Sequence, residues 1–223
     1  MASKWFMFKV KLVKLLVSDK TLAEQARKPS GWLGRHILQP MFISGNAALN
    51  NLLDELLAVQ PNQKALEIGF GPGVLLNQLC HSVPSASLTG LDFSPTMVKE
   101  AALLNKSLIE SGQLQLLEGC SDAMPFSNAE FDSVFCANTL YFWQPPEPHL
   151  NEIFRVLKSG GKFVMGFRTG QQIDEMELHA TIFARYSEED VVKLLQSVGF
   201  EAVEIQQREG FPVESYCVVA YRP

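Results

Sequence analysis

The sequence predicts an α/β fold, with an open and mostly parallel β-sheet that carries helices on both faces. Three observations support this prediction. From residue 64 onward, short apolar runs alternate with segments of helical periodicity. The first run leads through an acid into a glycine-rich turn, "EIGFGPG". The last two apolar runs follow each other without a helix, which favours an antiparallel final pair.

The elements follow in chain order. Strands are predicted at 65–69, 87–92, 113–118, 131–137, 162–168, 201–206 and 215–221, and helices at 74–82, 95–105, 147–158 and 187–199. Ser94 is placed to cap the second helix, and Pro95 suits its first position. The run Ser159-Gly160-Gly161 is typical of a helix stop. The 223 residues therefore fit one large domain with a modest extension.

Residues 1–60 contain no convincing strand, and we divide the chain into an N-terminal helical extension or lid (1–60) and a ligand-binding domain (61–223). Prolines and glycines in 29–40 indicate a loop or short helical turns, and leucines at helical spacing in 45–61 predict a helix closed by Pro61. The predicted lid side chains are Trp32, His36, Met41, Phe42 and Asn46.

The first 20 residues form a basic amphipathic pattern with five lysines among aromatic and aliphatic residues. The lysines interrupt every apolar stretch, so no run approaches the roughly 20 residues that a spanning helix needs. Two interpretations stay open. The helix packs on the domain, or it makes a peripheral contact with an anionic membrane surface.

Composition disfavours several classes of protein. The net charge is −5 and there is no long basic block, so no nucleic-acid partner is expected. The four cysteines lie far apart without a Cys-x-x-Cys pair, which indicates neither a disulfide framework nor a zinc site. We therefore expect no metal and a cytoplasmic protein, with membrane association left open.

The glycine turn is the most informative motif. Gly69, Gly71 and Gly73 lie at alternate positions, two residues after Glu67. A dinucleotide fingerprint would need glycine where Val74 stands, and a phosphate-binding P-loop would need Gly-Lys-Ser/Thr. Glycine lets the backbone approach a ligand closely. A neighbouring carboxylate suits a ligand with a positively charged amino group.

These motifs, taken together, resemble class I S-adenosylmethionine (SAM)-dependent methyltransferases. Asp92 follows Gly69 by 23 residues, and "EGCSDAMPF", "FDSVFCANTLYFW" and "LNEIFRVLKSGGKFVMGF" come next in order. The order is similar to that of the small-molecule branch that includes ubiquinone- and menaquinone-biosynthesis methyltransferases, over about residues 64–170. The resemblance implies a Rossmann-like, doubly wound sheet of seven strands in the order 3-2-1-4-5-7-6, with the last strand antiparallel. It also implies SAM as cofactor and a small-molecule acceptor.

The resemblance also implies roles at the cofactor. Glu67 and the turn of Gly69, Gly71 and Gly73 should face the methionine end, Asp92 the ribose hydroxyls, and Phe93 the adenine. The family's adenine-reading Asp falls on Cys120, and its Ala on Ser121. Either the backbone near Ser121 contacts the adenine, with Asp122 as a polar partner, or the loop shifts and Asp122 supplies the contact. We favour the backbone contact.

The segment after the fourth strand should lie beside the reacting methyl group. Asn138 is expected to bond the methionine amine or a substrate. Tyr141, Phe142 and Trp143 either line an apolar acceptor pocket or fill the interface to the next helix. Methyl transfer depends mainly on in-line placement, so a base is optional. Its candidates are His36, Tyr141 and His149, and we name Tyr141, Asn138 and His36 as catalytic residues.

The predicted function is SAM-dependent methylation of a small, apolar or lipid-like acceptor. Two alternatives stay open: a module that binds SAM or S-adenosylhomocysteine without chemistry, and a nicotinamide-dependent oxidoreductase. Val74 and the reversed last strand disfavour the oxidoreductase. The sequence indicates neither the acceptor atom nor the oligomeric state.

Overall fold

A computed structural model describes residues 17–28, 39–210 and 213–223, with backbone only for residues 19 and 39–42. It contains a seven-stranded sheet whose strands are β1 (Lys64–Ile68), β2 (Ser87–Asp92), β3 (Leu114–Glu118), β4 (Phe131–Ala137), β5 (Leu157–Phe167), β6 (Glu201–Arg208) and β7 (Ser215–Tyr221). The strand order is β3-β2-β1-β4-β5-β7-β6. The predicted order is confirmed.

Strands β1 to β5 are mutually parallel, while β7 runs antiparallel to both β5 and β6. In the centre of the sheet, Glu67 of β1 pairs with Gly90 of β2 on one side and with Phe135 of β4 on the other. The carboxyl ends of β1, β2 and β4 therefore meet at one edge, where ligands bind in open α/β sheets.

The described helices are α1 (Asp19–Arg27), α2 (Gln39–Leu57), α3 (Val74–Ser82), α4 (Pro95–Leu104), α5 (Lys106–Glu110), α6 (Glu147–Val156), α7 (Gly170–Glu175) and α8 (Glu188–Val198). Leucines of α2 and α3 pack with one face of the sheet. Apolar residues of α6 and α8 pack with the other face. The sheet is thus covered on both sides, as a mainly parallel sheet requires.

Two predicted boundaries are wrong. Helix α6 ends at Val156, and Ser159-Gly160-Gly161 lies inside β5 rather than stopping the helix. The chain there continues to pair with β4, and the extra residues are absorbed by a shift of register between the pairs Phe131↔Leu157 and Ser133↔Lys162. Helix α2 begins at Gln39, six residues before the predicted start, because proline is tolerated in the first turn of a helix.

Helix α1 lies across the carboxyl edge of the sheet. Ser18 caps it by accepting from the Thr21 N–H, and Ala23 packs into a buried cluster with Tyr141, Ile173 and Phe183. Residues 1–16 and 29–38, which carry most of the basic pattern and the predicted lid residues Trp32 and His36, fall outside the described ranges. No helix within those ranges is long and apolar enough to cross a membrane.

Candidate active site

The turn between β1 and α3 brings backbone to the carboxyl edge. Gly69, Gly71 and Gly73 have φ of 69°, 53° and 74°, a region that disfavours side chains. A Cβ on Gly69 would lie 2.6 Å from Thr139 Cγ2, and one on Gly73 would lie 2.8 Å from Ala101 Cβ. A Cβ on Gly71 would meet nothing within 4 Å. Gly71 therefore borders open space, where a ligand can approach the backbone.

Two buried carboxyl groups flank this turn. Glu67 and Asp92 are 4% and 5% exposed. Asp92 accepts the Gly71 N–H at 2.9 Å through Oδ2 and the Ser94 N–H at 2.8 Å through Oδ1. Glu67 Oε2 has no hydrogen-bond partner among the described residues. Burial, with a smaller contribution from the nearby Asp92 charge, raises the pKa of Glu67 to about 8. A cationic group placed between the two acids would favour their charged forms.

Unpartnered polar groups also occur at the end of β4. Asn138 has a φ of 57°, and its N–H donates to the Gly166 carbonyl at 2.8 Å. Neither the amide nitrogen nor the amide oxygen of its side chain finds a partner in the described part of the chain. Buried polar atoms normally have partners, so these atoms indicate a ligand that supplies them.

The loop after β3 adds a third wall. Ser121 is buried, and its hydroxyl is 2.8 Å from His149 Nδ1. The His149 ring stacks on Trp143, with centroids 5.0 Å apart and an angle of 9°. The Cys120 thiol donates to Asp122 and holds the pKa of that carboxyl below its ordinary value. Ligand atoms of Cys120, Asp122 and His149 lie within 4.8 Å of one another, a grouping that their sequence spacing did not indicate.

Comparison with known proteins decides the class of this site. A family model described as "methyltransferase domain" matches residues 66–165. The uncharacterised methyltransferase YdaC of Bacillus subtilis is 27% identical over 178 residues, or 80% of this chain and 93% of YdaC. The malonyl-[acyl-carrier protein] O-methyltransferase of Herminiimonas arsenicoxydans is 32% identical over 161 residues, or 69% of this chain and 58% of that enzyme. A SAM-dependent methyltransferase structure from Aquifex aeolicus superimposes with a TM-score of 0.66 at 18% identity, covering 93% of this chain and 100% of the other.

The chain is a class I SAM-dependent methyltransferase.

SAM is accordingly the cofactor of this methyltransferase, and the residues at the carboxyl edge fit it. A positively charged amine and sulfonium match the two buried acids. The amide of Asn138 has both a donor and an acceptor to offer. The open space beside Gly71 would let the cofactor approach the backbone without a side chain in the way.

Arg155 fixes the position of the loop between β3 and β4 in this methyltransferase. Its guanidinium forms an ion pair with Glu152 at 2.6 Å and donates to the carbonyls of Met124 and Phe126. Glu152 in turn accepts the Met124 N–H at 2.7 Å. The segment that carries Ser121 is thereby tied to α6.

Phe93 directly follows β2, and 40% of its area is exposed. The ammonium of Lys28, at the end of α1, sits 5.5 Å from the centre of its ring. The Lys28 charge also acts to lower the pKa of Asp92, although burial dominates and raises that pKa overall. Lys28 was not among the predicted site residues, because no local pattern links residue 28 to residue 93.

An aromatic cluster follows the end of β4. The Tyr141 ring is 4.8 Å from that of Phe142 and 5.1 Å from that of Phe183. Burial raises the pKa of Tyr141, so the phenol keeps its proton and can donate a hydrogen bond but does not serve as a base near neutral pH. Trp143, by contrast, stacks on His149 and belongs to the core beneath α6.

The two histidines predicted as possible bases differ in what the structure describes. His36 lies outside the described residues, as does Trp32. His149 is bound to Ser121, on the side of the loop after β3. Burial lowers the pKa of His149, and the smaller effect of the nearby Asp122 charge acts in the opposite direction. The ring is therefore neutral at physiological pH. Beyond the predicted set, Arg168 is a buried arginine that the sequence marked only as the end of a strand.

Proposed function

We propose that this methyltransferase transfers the methyl group of SAM to a small, largely apolar acceptor bound beside the carboxyl ends of β4 and β5. The observation that carries the proposal is the buried cluster of Tyr141, Ile173 and Phe183, which comes shortly after Asn138 in the chain and includes Ala23 of α1. Apolar and aromatic walls with a few polar groups are typical of small-molecule sites.

For the cofactor, we assign Glu67, Asn138 and the backbone of Gly69, Gly71 and Gly73 to the methionine end. Asp92 is assigned to the ribose hydroxyls. Each of its oxygens accepts one backbone N–H and retains a lone pair for a hydroxyl. Its position is thus fixed before the ligand arrives.

On the adenine side, Phe93 offers a ring face at the end of β2. We assign the second contact to the backbone near Ser121, whose hydroxyl is occupied by His149. Asp122 is exposed and charged, so it is available as a polar partner at the rim. These assignments rest on the position of the loop that Arg155 holds.

When bound, SAM supplies an electrophilic methyl group on a positively charged sulfur. The protein's own contribution is to place the acceptor in line and to exclude water. Tyr141 does this as a fixed, protonated donor within the aromatic cluster, and Asn138 orients the reacting groups through its free amide. His36 remains a prediction for a base, since its side chain is outside the described residues.

The segment before α2 is proposed as the covering part of the lid predicted at residues 1–60, because the leucines of α2 pack on the sheet. Helix α1 supports this, because it contacts Phe93 through Lys28 and Tyr141 through Ala23. The peripheral membrane contact of residues 1–20 stays a prediction. Deletion of those residues with unchanged binding to anionic vesicles would contradict it.

The relative from Herminiimonas arsenicoxydans acts, by its name, on malonyl-[acyl-carrier protein]. This supports an acyl or similarly small acceptor here. The chain spans 58% of the length of that enzyme, so the identity of the acceptor has to be determined directly.

The test combines binding with transfer. Calorimetry with SAM, S-adenosylhomocysteine and NADH is followed by transfer of labelled methyl from SAM to a panel of apolar acids, phenols and amines. We expect heat with the first two ligands, none with NADH, and label in at least one acceptor class. Binding of SAM without transfer to any acceptor would indicate a non-catalytic module. Binding of NADH without SAM would indicate an oxidoreductase.

A further inference from the structure

Arg168 is a buried cation at the carboxyl end of β5, one residue beyond Phe167. Arg168 as a whole is only 7% exposed to solvent. Its guanidinium donates to the Glu214 carbonyl at 3.2 Å and to the Gly45 carbonyl at 3.4 Å, both at or beyond the long end of the usual range. A guanidinium has five N–H groups, so these two contacts leave most of its donors available.

No carboxylate neutralises this arginine among the described residues. The ion pairs found there involve other cations, namely Lys106, Arg155, Lys158, Arg185, Lys193 and Arg208. Residues 1–16, 29–38 and 211–212 contain no Asp or Glu, so they have no carboxylate side chain to supply. Asp19 is the one acid whose side chain is not described. A buried charge without a partner is costly, which suggests that a ligand supplies the partner.

Arg168 lies on the acceptor side of the site. The Asn138 N–H bonds to the Gly166 carbonyl, which holds the end of β4 beside the end of β5. The Tyr141 phenol is close enough to affect Arg168 electrostatically; it raises the pKa that burial lowers. Neighbouring strands are about 4.8 Å apart, and β5 is two strands from β1, so Arg168 is roughly 10 Å across the sheet from the Glu67 strand.

We propose that Arg168 binds a carboxylate of the acceptor, so that the substrate is an organic acid with an apolar body. The inference rests on the methyl-transfer function proposed above. The aromatic cluster of Tyr141, Phe142 and Phe183 holds the apolar part, and the guanidinium pairs with the acid group in a two-point contact. A carboxylate is favoured over a phosphate because one guanidinium balances one negative charge.

The experiment compares acids with their neutral amides. Octanoate and octanamide, palmitate and palmitamide, and phenylpropanoate and phenylpropanamide are titrated by calorimetry into the full chain saturated with S-adenosylhomocysteine. In the wild type, at least one acid should bind about tenfold or more tighter than its amide, the gain expected of hydrogen bonds to a charged group. Arg168→Gln should remove that preference while binding S-adenosylhomocysteine within about twofold of wild type. Arg208→Gln, which removes a surface arginine paired with Glu55, should keep it.

The outcomes separate the two proposals. If the wild type binds both members of every pair equally, or binds neither, the role of Arg168 is overturned. The proposed methyl-transfer function is not affected, because cofactor binding is measured in the same preparation. An Arg168→Gln protein that loses S-adenosylhomocysteine as well would place the arginine at the cofactor, which also overturns the proposal. Should Arg168→Gln not fold, Arg168→Lys keeps the charge without the planar fork, so its preference for the acid should be smaller than that of wild type but still present. A folded Arg168→Lys protein without that preference refutes the inference.

Discussion

Glu67 allows a quantitative test of the electrostatics at the candidate site. In the fold its pKa is about 8, against an ordinary value of 4.5, mainly because the side chain is buried. The unfolded chain loses this proton near pH 4.5, whereas the folded protein keeps it until about pH 8. Since the folded state then binds more protons, the free energy of unfolding of the cofactor-free protein falls as the pH rises through this window and levels off above it.

The size of the effect follows from the two pKa values. Between about pH 5 and about pH 9 the unfolded state gains roughly 4 kcal/mol from ionising Glu67, at about 1.4 kcal/mol per pH unit across the window. Glu67→Gln has no proton to lose and a similar shape. We therefore expect the stability of the variant relative to wild type to improve by about 3–4 kcal/mol over that range.

The measurement is urea unfolding of both cofactor-free proteins at these two pH values. Titrating groups that do not interact with Glu67 cancel in the difference between variant and wild type, and the coupling to Asp92 is a smaller contribution than burial. Glu201→Gln, which alters an exposed acid at the start of β6, serves as the control and should show no such trend. If the stability profiles of wild type and Glu67→Gln ran parallel, the buried, protonated state of Glu67 would be refuted.

Three further results are expected at the site. Gly71→Ala and Gly112→Ala should each lose about 1–2 kcal/mol of stability, since both glycines have positive φ and an added Cβ meets nothing within 4 Å. Only Gly71→Ala should weaken SAM binding in calorimetry. If the two variants bound SAM with equal affinity, the role of the open space beside Gly71 would be contradicted. Gly73→Ala should lose about 2–4 kcal/mol in thermal or urea unfolding because its Cβ also collides with Ala101, and a loss no larger than that of Gly112→Ala would count against this packing. Asp92→Asn should weaken S-adenosylhomocysteine binding about 10- to 100-fold, because an amide cannot accept from both backbone N–H groups and a ribose diol. An unchanged Kd would show that Asp92 does not bind the cofactor.

Much of the fold could be predicted because its signals are local. The strand alternation, the Ser94 cap and the glycines of the turn each depend on a few adjacent residues. The predicted end of α6 was wrong because Gly160 and Gly161 are typical of both a helix stop and an irregular strand. Only pairing with β4, distant in sequence, decides between the two.

Within the candidate site, too, residues with local sequence signals could be predicted and contacts between distant residues could not. Glu67 and Asp92 could be found because each lies at or next to the end of a strand, and strand ends meet at one edge of a parallel sheet. The contact between Lys28 and Phe93 could not be found, and neither could the hydrogen bond between Ser121 and His149. Both join residues from separate elements, and their geometry depends on how α1 and α6 pack.

The placement of α1 has a consequence for the order of events at this edge. One short helix touches Phe93 by way of Lys28 and Tyr141 by way of Ala23. Under the proposed assignments, any outward movement of that helix uncovers the nucleoside and acceptor regions in a single step. Departure of the spent cofactor and departure of the methylated product would then share one opening event and so one rate.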